Sequence, residues 1–198
     1  MKIKLFVIFI FGLFNSLWSQ KTEIIFDVHY KSRKIGTIHA VEHRSENQTV
    51  KGIKTITNTE ILRVTIHVES EISVIYKDNA LVKGVAYRHS NKGNENVHST
   101  VIKTNNNTYH IERNGKKEKL EDLKINFCDV DLYFIEPKGI ENIFSTMYAK
   151  MLPLKLVSPG KYRLVTPDNK DSYYTYTNGK LILVEANTAL GKVLSKRL

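Results

Sequence analysis

Two histidines flank a glutamate in His39-Ala40-Val41-Glu42-His43, the H-x-x-E-H spacing of one class of zinc peptidase. That chemistry needs a helix, because only there do residues four apart share a face with the glutamate beside them. Here the flanks Ile35-Gly36-Thr37-Ile38 and Arg44-Ser45-Glu46 read as a strand running into a turn. On a strand His39, Val41 and His43 point one way and Glu42 the other, which separates base from ligands. His29, on the preceding strand, is the nearest third ligand. Seven histidines spread along the chain make such coincidences easy, and a solvated face explains them as well. A metal-dependent hydrolase therefore ranks last among the functional readings.

The remaining reactive residues are sparse. Glu69 with Glu71, and Asp129 with Asp131, are carboxylates two apart, the spacing of one strand face. Such pairs can serve as acid and base, but the wet face of a sheet carries the same pattern far more often. Cys128 is the one cysteine, so no intrachain disulfide can form. It alternates with Val130, Leu132 and Phe134 and reads as core. No serine sits in a nucleophile-elbow context and no Gly-rich phosphate loop follows a strand. Tyr173, Tyr174 and Tyr176 suit either a pocket mouth or the rim of a β core. No catalytic residue, metal ligand or cofactor is assigned.

The elements around these residues are strands. Residues 62–76 alternate Leu62, Val64, Ile66, Val68, Ser70, Ile72, Val74, Tyr76 against Arg63, Thr65, His67, Glu69, Glu71, Ser73, Ile75. This is a long half-buried strand. Turn signals divide the rest into strands over 22–30, 35–44, 49–57, 80–89, 97–104, 108–113, 124–135, 154–157, 162–166, 172–177 and 180–186. Asn114-Gly115 and Asn178-Gly179 are the hairpin signals. Ile140, Ile143, Phe144, Met147, Tyr148 and Met151 recur at helical spacing and predict one short amphipathic helix over 139–151. The fold class expected is all-β with that one helix. An antiparallel meander would form a strongly curled sheet, barrel or half-barrel.

At the N-terminus Lys2 and Lys4 precede an apolar run, residues 5–14, and a polar stretch carrying small Ser19. This is the layout of a secretory signal, residues 1–20, cut near Ser19 or Gln20 and too short for a membrane span. Residues 21–198 then make a single antiparallel β domain, exported to the periplasm or beyond the cell. The formal charge of the whole chain is +10, spread over lysines in turns. It suits a solvated basic surface or anionic lipid and glycan surfaces. Nucleic acid is not expected as a partner of an exported chain.

Several stretches in order resemble a family. They are Phe26-Asp27-Val28, Lys34-Ile35-Gly36, Leu81-Val82-Lys83-Gly84, Tyr133-Phe134-Ile135-Glu136-Pro137, Ile143-Phe144-Ser145 and residues 173–179. Together they are similar to an uncharacterised domain-of-unknown-function family of signal-bearing exported proteins of Bacteroidetes. Where that family commonly carries glycine after its Phe-Ser-x-x-Tyr stretch, this chain has Ala149. The resemblance implies no activity and no catalytic residues. Its strand-rich layout is distantly similar to the half-barrels of periplasmic lipoprotein carriers, where a curled sheet cups an acyl chain under a helical lid.

Three functional readings compete. The first is a non-enzymatic binding protein for an apolar or amphipathic, lipid-like molecule. Leu62, Val64, Ile66 and Val68 would line the concave side, with Phe144, Met147 and Met151 covering it. The second is a solid-core envelope protein acting through its basic surface. The third is the hydrolase.

Overall fold

A computed structural model describes residues 20–61, 63–92, 96–105, 107–188 and 191–198. The proposed signal, apart from Gln20, and Leu62 lie outside the described residues. Period-2 alternation and short turns produce β1 (Gln20–Tyr30), β2 (Arg33–Arg44), β3 (Thr49–Ile61), β4 (Val64–Lys77), β5 (Ala80–Ser90), β6 (Val97–Asn105), β7 (Thr108–Arg113) and β8 (Lys116–Leu120). They are followed by β9 (Asn142–Ser145), β10 (Lys150–Ser158), β11 (Lys161–Leu164), β12 (Ser172–Thr177), β13 (Lys180–Thr188) and β14 (Gly191–Arg197). Asp78-Asn79, Asn114-Gly115 and Asn178-Gly179 all have positive φ at both positions. That geometry matches the twist of the strands these turns join.

All fourteen strands belong to one antiparallel sheet, in the order β8-β7-β6-β5-β4-β3-β2-β1-β14-β13-β12-β11-β10-β9. Sequence neighbours pair everywhere except between β8 and β9, and β1 pairs with β14, with Val28 opposite Ser195. The sheet does not close. Its two edges are β8 and β9, which follow each other in the chain. The segment joining them, residues 121–141, enters the concave side instead of continuing the meander.

That segment is the plug. Its Ile125 carbonyl accepts from the Leu81 N–H at 2.8 Å, and its Phe127 carbonyl accepts from the Phe144 N–H at 3.0 Å. In its middle, Asp129–Tyr133 forms a 3₁₀ helix with Val130 and Leu132 fully buried. The expected strand over 124–135 is therefore corrected. Residues 128–132 are all buried, so their apolar pattern does not report a sheet face.

The expected helix over 139–151 is also corrected: β9 and β10 make a hairpin there, with Met151 opposite Phe144. Ile143 and Phe144 are both fully buried, so β9 is covered on both faces. A strand of that kind shows consecutive apolar residues that mimic a helical stripe. The hairpin turn ends on Ala149, which lies in the left-handed region with φ +56°. This conformation costs a non-glycine residue about 1–2 kcal/mol, which is the physical reason glycine suits the site. Gly84 on β5 makes room for Val101 on β6 and for the same turn, since a Cβ there would stand 2.7 Å from a Val101 methyl and 3.2 Å from the Thr146 methyl.

Candidate functional site

Two aspartates on the plug tie it to opposite parts of the sheet. Asp131 Oδ1 accepts from Lys51 Nζ at 2.7 Å, and Oδ2 accepts from the Cys128 N–H at 2.7 Å and from the Tyr76 hydroxyl. Lys51 Nζ also lies 3.0 Å from Glu42 Oε2, and its side chain is only 5% exposed. Glu42 continues outward to Arg44 at 3.1 Å. Burial, then the neighbouring Cys128 and Asp131, drive the Tyr76 phenol upward. Burial, then Asp131 and Asp129, hold the Cys128 thiol well above its ordinary range, so it stays protonated and a poor nucleophile. A polar pocket of about 460 Å³ lies over this cluster, lined by Lys51, Tyr76, Asp131, Asp78 and residues 44–49 among others.

Asp129 faces the other way. Its Oδ2 accepts from the Ser145 hydroxyl at 2.8 Å and its Oδ1 from the Val130 N–H at 3.1 Å. Burial raises its pKa, against the lowering effect of Ser145 and of backbone bonds to Thr146 and Met147.

Beyond the plug the concave side is open. A cavity of about 420 Å³ has apolar walls from Val28, Ile38, Ile66, Val68, Val184 and Val193. Thr55, Thr57, Ser70, Ser172 and Ser195 contribute hydroxyls, and Tyr133 and Tyr174 stand where it meets the plug. Their rings are edge-to-face at 6.4 Å, and Phe26 packs on Tyr133 at 5.5 Å. A smaller chamber of about 230 Å³ shares Ser70, Arg88, Tyr133 and Tyr174, and reaches Asp129, Met147, Tyr148 and Lys170. Tyr148 donates to Asp168 at 2.9 Å, and burial first, then Asp168, pushes its phenol up to about 12. The larger volume falls within the usual range of ligand pockets, about 300–1,000 Å³, and the smaller lies below it.

The lining residues expected from sequence are divided. Ile66 and Val68 line the large cavity, and Met147 lines the chamber joined to it. Val64 is 42% exposed. Phe144 is fully buried in the core, and Met151 packs half-buried against that core, so neither lies on the walls of either chamber. The helical lid has no counterpart, because its residues form β9, β10 and their turn. Of the tyrosines, Tyr174 and Tyr176 face inward and are buried. The Tyr176 hydroxyl donates to the Leu132 carbonyl at 2.6 Å. Tyr173 lies on the other face under Lys161.

His39 and His43 lie on the exposed face of β2 while Glu42 turns inward to Lys51. Glu69 is an outer-face partner of Lys54 at 3.0 Å. Among the described residues no three His, Cys, Asp or Glu side chains converge as metal ligands would. Nor is any described helix long and apolar enough to cross a membrane.

Lys51, Tyr76 and Arg88 were not singled out from sequence, whereas Asp131 was, as a pair with Asp129 that the structure gives separate partners. Lys51 had a signal nonetheless, since it shares strand parity with the inward Ile53. A lysine on an apolar face implies a buried partner.

Residues 26–197 match the family described as a domain of unknown function, DUF6134. The chain belongs to this family. No curated protein and no solved structure matches it. The DUF6134 match thus spans the sheet from Phe26 on β1 to the end of β14, plug included.

Proposed function

We propose that this DUF6134 chain is an exported, non-enzymatic binding protein for an apolar or amphipathic, lipid-like molecule. The observation that carries the proposal is the unfilled half of the concave face. Beyond the plug, aliphatic side chains and hydroxyls line about 420 Å³ of open space. Half-buried Ile66 and Val68 leave apolar surface that an acyl chain or similar group would cover. Export rests on the signal-like N-terminus, whose cut near Ser19 or Gln20 would leave β1 free to pair.

The test is to direct the full chain to a periplasm, purify it without detergent and combine native mass spectrometry with organic extraction. A stoichiometric acyl-chain molecule on a chain beginning near Lys21 is the expected result. A clean apo mass, together with no displacement of an apolar fluorophore by added lipid, would overturn the binding proposal.

A further inference from the structure

We propose that the Tyr133 and Tyr174 hydroxyls form a polar anchor at the inner end of the cavity, donating to a neutral carbonyl oxygen of the ligand. This rests on the binding proposal above and deepens it by naming the ligand's polar group and the end at which it lodges.

Phenols elsewhere around the plug are committed within the fold. Tyr76 donates to Asp131, Tyr148 to Asp168 at 2.9 Å, Tyr162 to Glu136 at 3.1 Å and Tyr176 to the Leu132 carbonyl at 2.6 Å. Tyr133 and Tyr174 differ, since among the described residues neither hydroxyl has a hydrogen-bond partner. Neither oxygen is sealed off in protein as the Ser99 hydroxyl is. Tyr174 is only 7% exposed, and both tyrosines line the large cavity and the smaller chamber, which places them at the junction. Their edge-to-face contact, with Phe26 packed on Tyr133, fixes the rings in advance. A buried hydroxyl that loses water without gaining a partner costs free energy. Whatever fills this junction must therefore offer an acceptor.

The charges nearby select an uncharged one. Burial, then Asp129, raises the Tyr133 phenol, and burial, then Tyr133 and Asp129, raises that of Tyr174, so both stay protonated donors. The Asp129 carboxyl on the smaller chamber opposes a second negative charge there. Arg88 and Lys170 also line these walls, but both are engaged within the fold, Lys170 with Asp168 at 3.8 Å. An ester or ketone oxygen carries no charge and can accept from two donors.

The register sets the direction of the chain. Thr55 and Ser70, opposite each other on β3 and β4, line both chambers, whereas Val68 and Ile66 line only the large cavity. At about 3.3 Å per residue, Ile66 lies about 13 Å along β4 from Ser70. A ligand with its carbonyl at the tyrosines therefore runs its chain outward over Val68 and Ile66.

The experiment measures displacement of an apolar fluorophore by a long-chain methyl ketone and by the alkane and fatty acid of equal length. Wild-type protein is compared with Tyr133→Phe, Tyr174→Phe and Tyr176→Phe. The first two lose no bond within the fold and should unfold like wild type. Each should bind the ketone about fivefold more weakly, the size of one hydrogen bond, while alkane binding holds or tightens. Tyr176→Phe, whose hydroxyl serves the Leu132 carbonyl, should unfold more easily yet keep wild-type ketone binding. Unchanged ketone binding in both Tyr133→Phe and Tyr174→Phe would overturn the anchor and leave the cavity proposal standing. Fatty-acid binding that falls further than ketone binding in these variants would overturn the neutral assignment. Failure of every probe to displace the fluorophore from wild type would overturn both proposals.

Discussion

The same strands build a filled half and an open half of one concave surface. On β4 the inward row runs from Val74 and Tyr76, both buried, to Ser70, Val68 and Ile66, all half-buried. On β3 it runs from Lys51 and Ile53, buried, to Thr55, Thr57 and Thr59, half-buried. The plug accounts for the difference. Where it sits, inward side chains find apolar partners or a buried counter-charge. Where it ends, hydroxyls and short aliphatics replace them. A curled sheet thus acquires a core at one end and a binding surface at the other without changing its backbone pattern.

The comparison predicts that the filled half is energetically stiff. Lys51→Met would leave Asp131 and Glu42 without their buried cation and should destabilise by about 3–5 kcal/mol, measured by denaturant unfolding. A loss within experimental error would mean that the plug is held by its apolar contacts alone.

Truncating an aliphatic residue in each half sharpens the contrast. Ile143→Ala, at a fully buried position, should cost about 2–5 kcal/mol. Ile66→Ala, on the cavity wall, should fall below about 2 kcal/mol because solvent already reaches the space beside it. Equal losses would show that the open half is packed in solution.

The smallest effect concerns the two aspartates, which differ in partners rather than burial. Asp131 has a lysine, whereas Asp129 has hydroxyl and N–H donors and a raised pKa. A raised carboxyl binds more protons in the folded than in the unfolded state. Its contribution to stability therefore falls as pH rises from the ordinary carboxylate range through the folded pKa. Asp129→Asn removes that titration. Its stability relative to wild type should rise over this window and then level off, as read from unfolding at a series of pH values. A pH-independent difference would mean that Asp129 titrates alike in both states.

Much of the sheet was legible in local pattern. The alternation expected over 62–76 became β4 from Val64 onward, and both Asn-Gly pairs became hairpin turns, because side-chain parity and positive φ are local properties. The histidines of 39–43 also followed strand parity, facing away from Glu42. A small part of the cavity wall could be read in the same way, through Ile66 and Val68.

Residues 121–151 were not legible, for a shared reason. Periodicity assumes one wet face and one dry face, and the 3₁₀ helix and β9 have almost no wet face. Their apolar spacing therefore reports enclosure rather than element type. Arg88 was equally hidden, as its inward parity on β5 acquires meaning only when β12 to β14 curl round to face it.

The amino-acid sequence alone determined an antiparallel meander, its turns and the faces of its outer strands, since these follow from neighbours two to four residues apart. Only the tertiary structure decided where the meander breaks, that β1 would meet β14, and that the segment between β8 and β9 would turn inward. Those choices depend on contacts such as Lys51 with Asp131, eighty residues apart in the chain, whose free energy exists only once the sheet has curled.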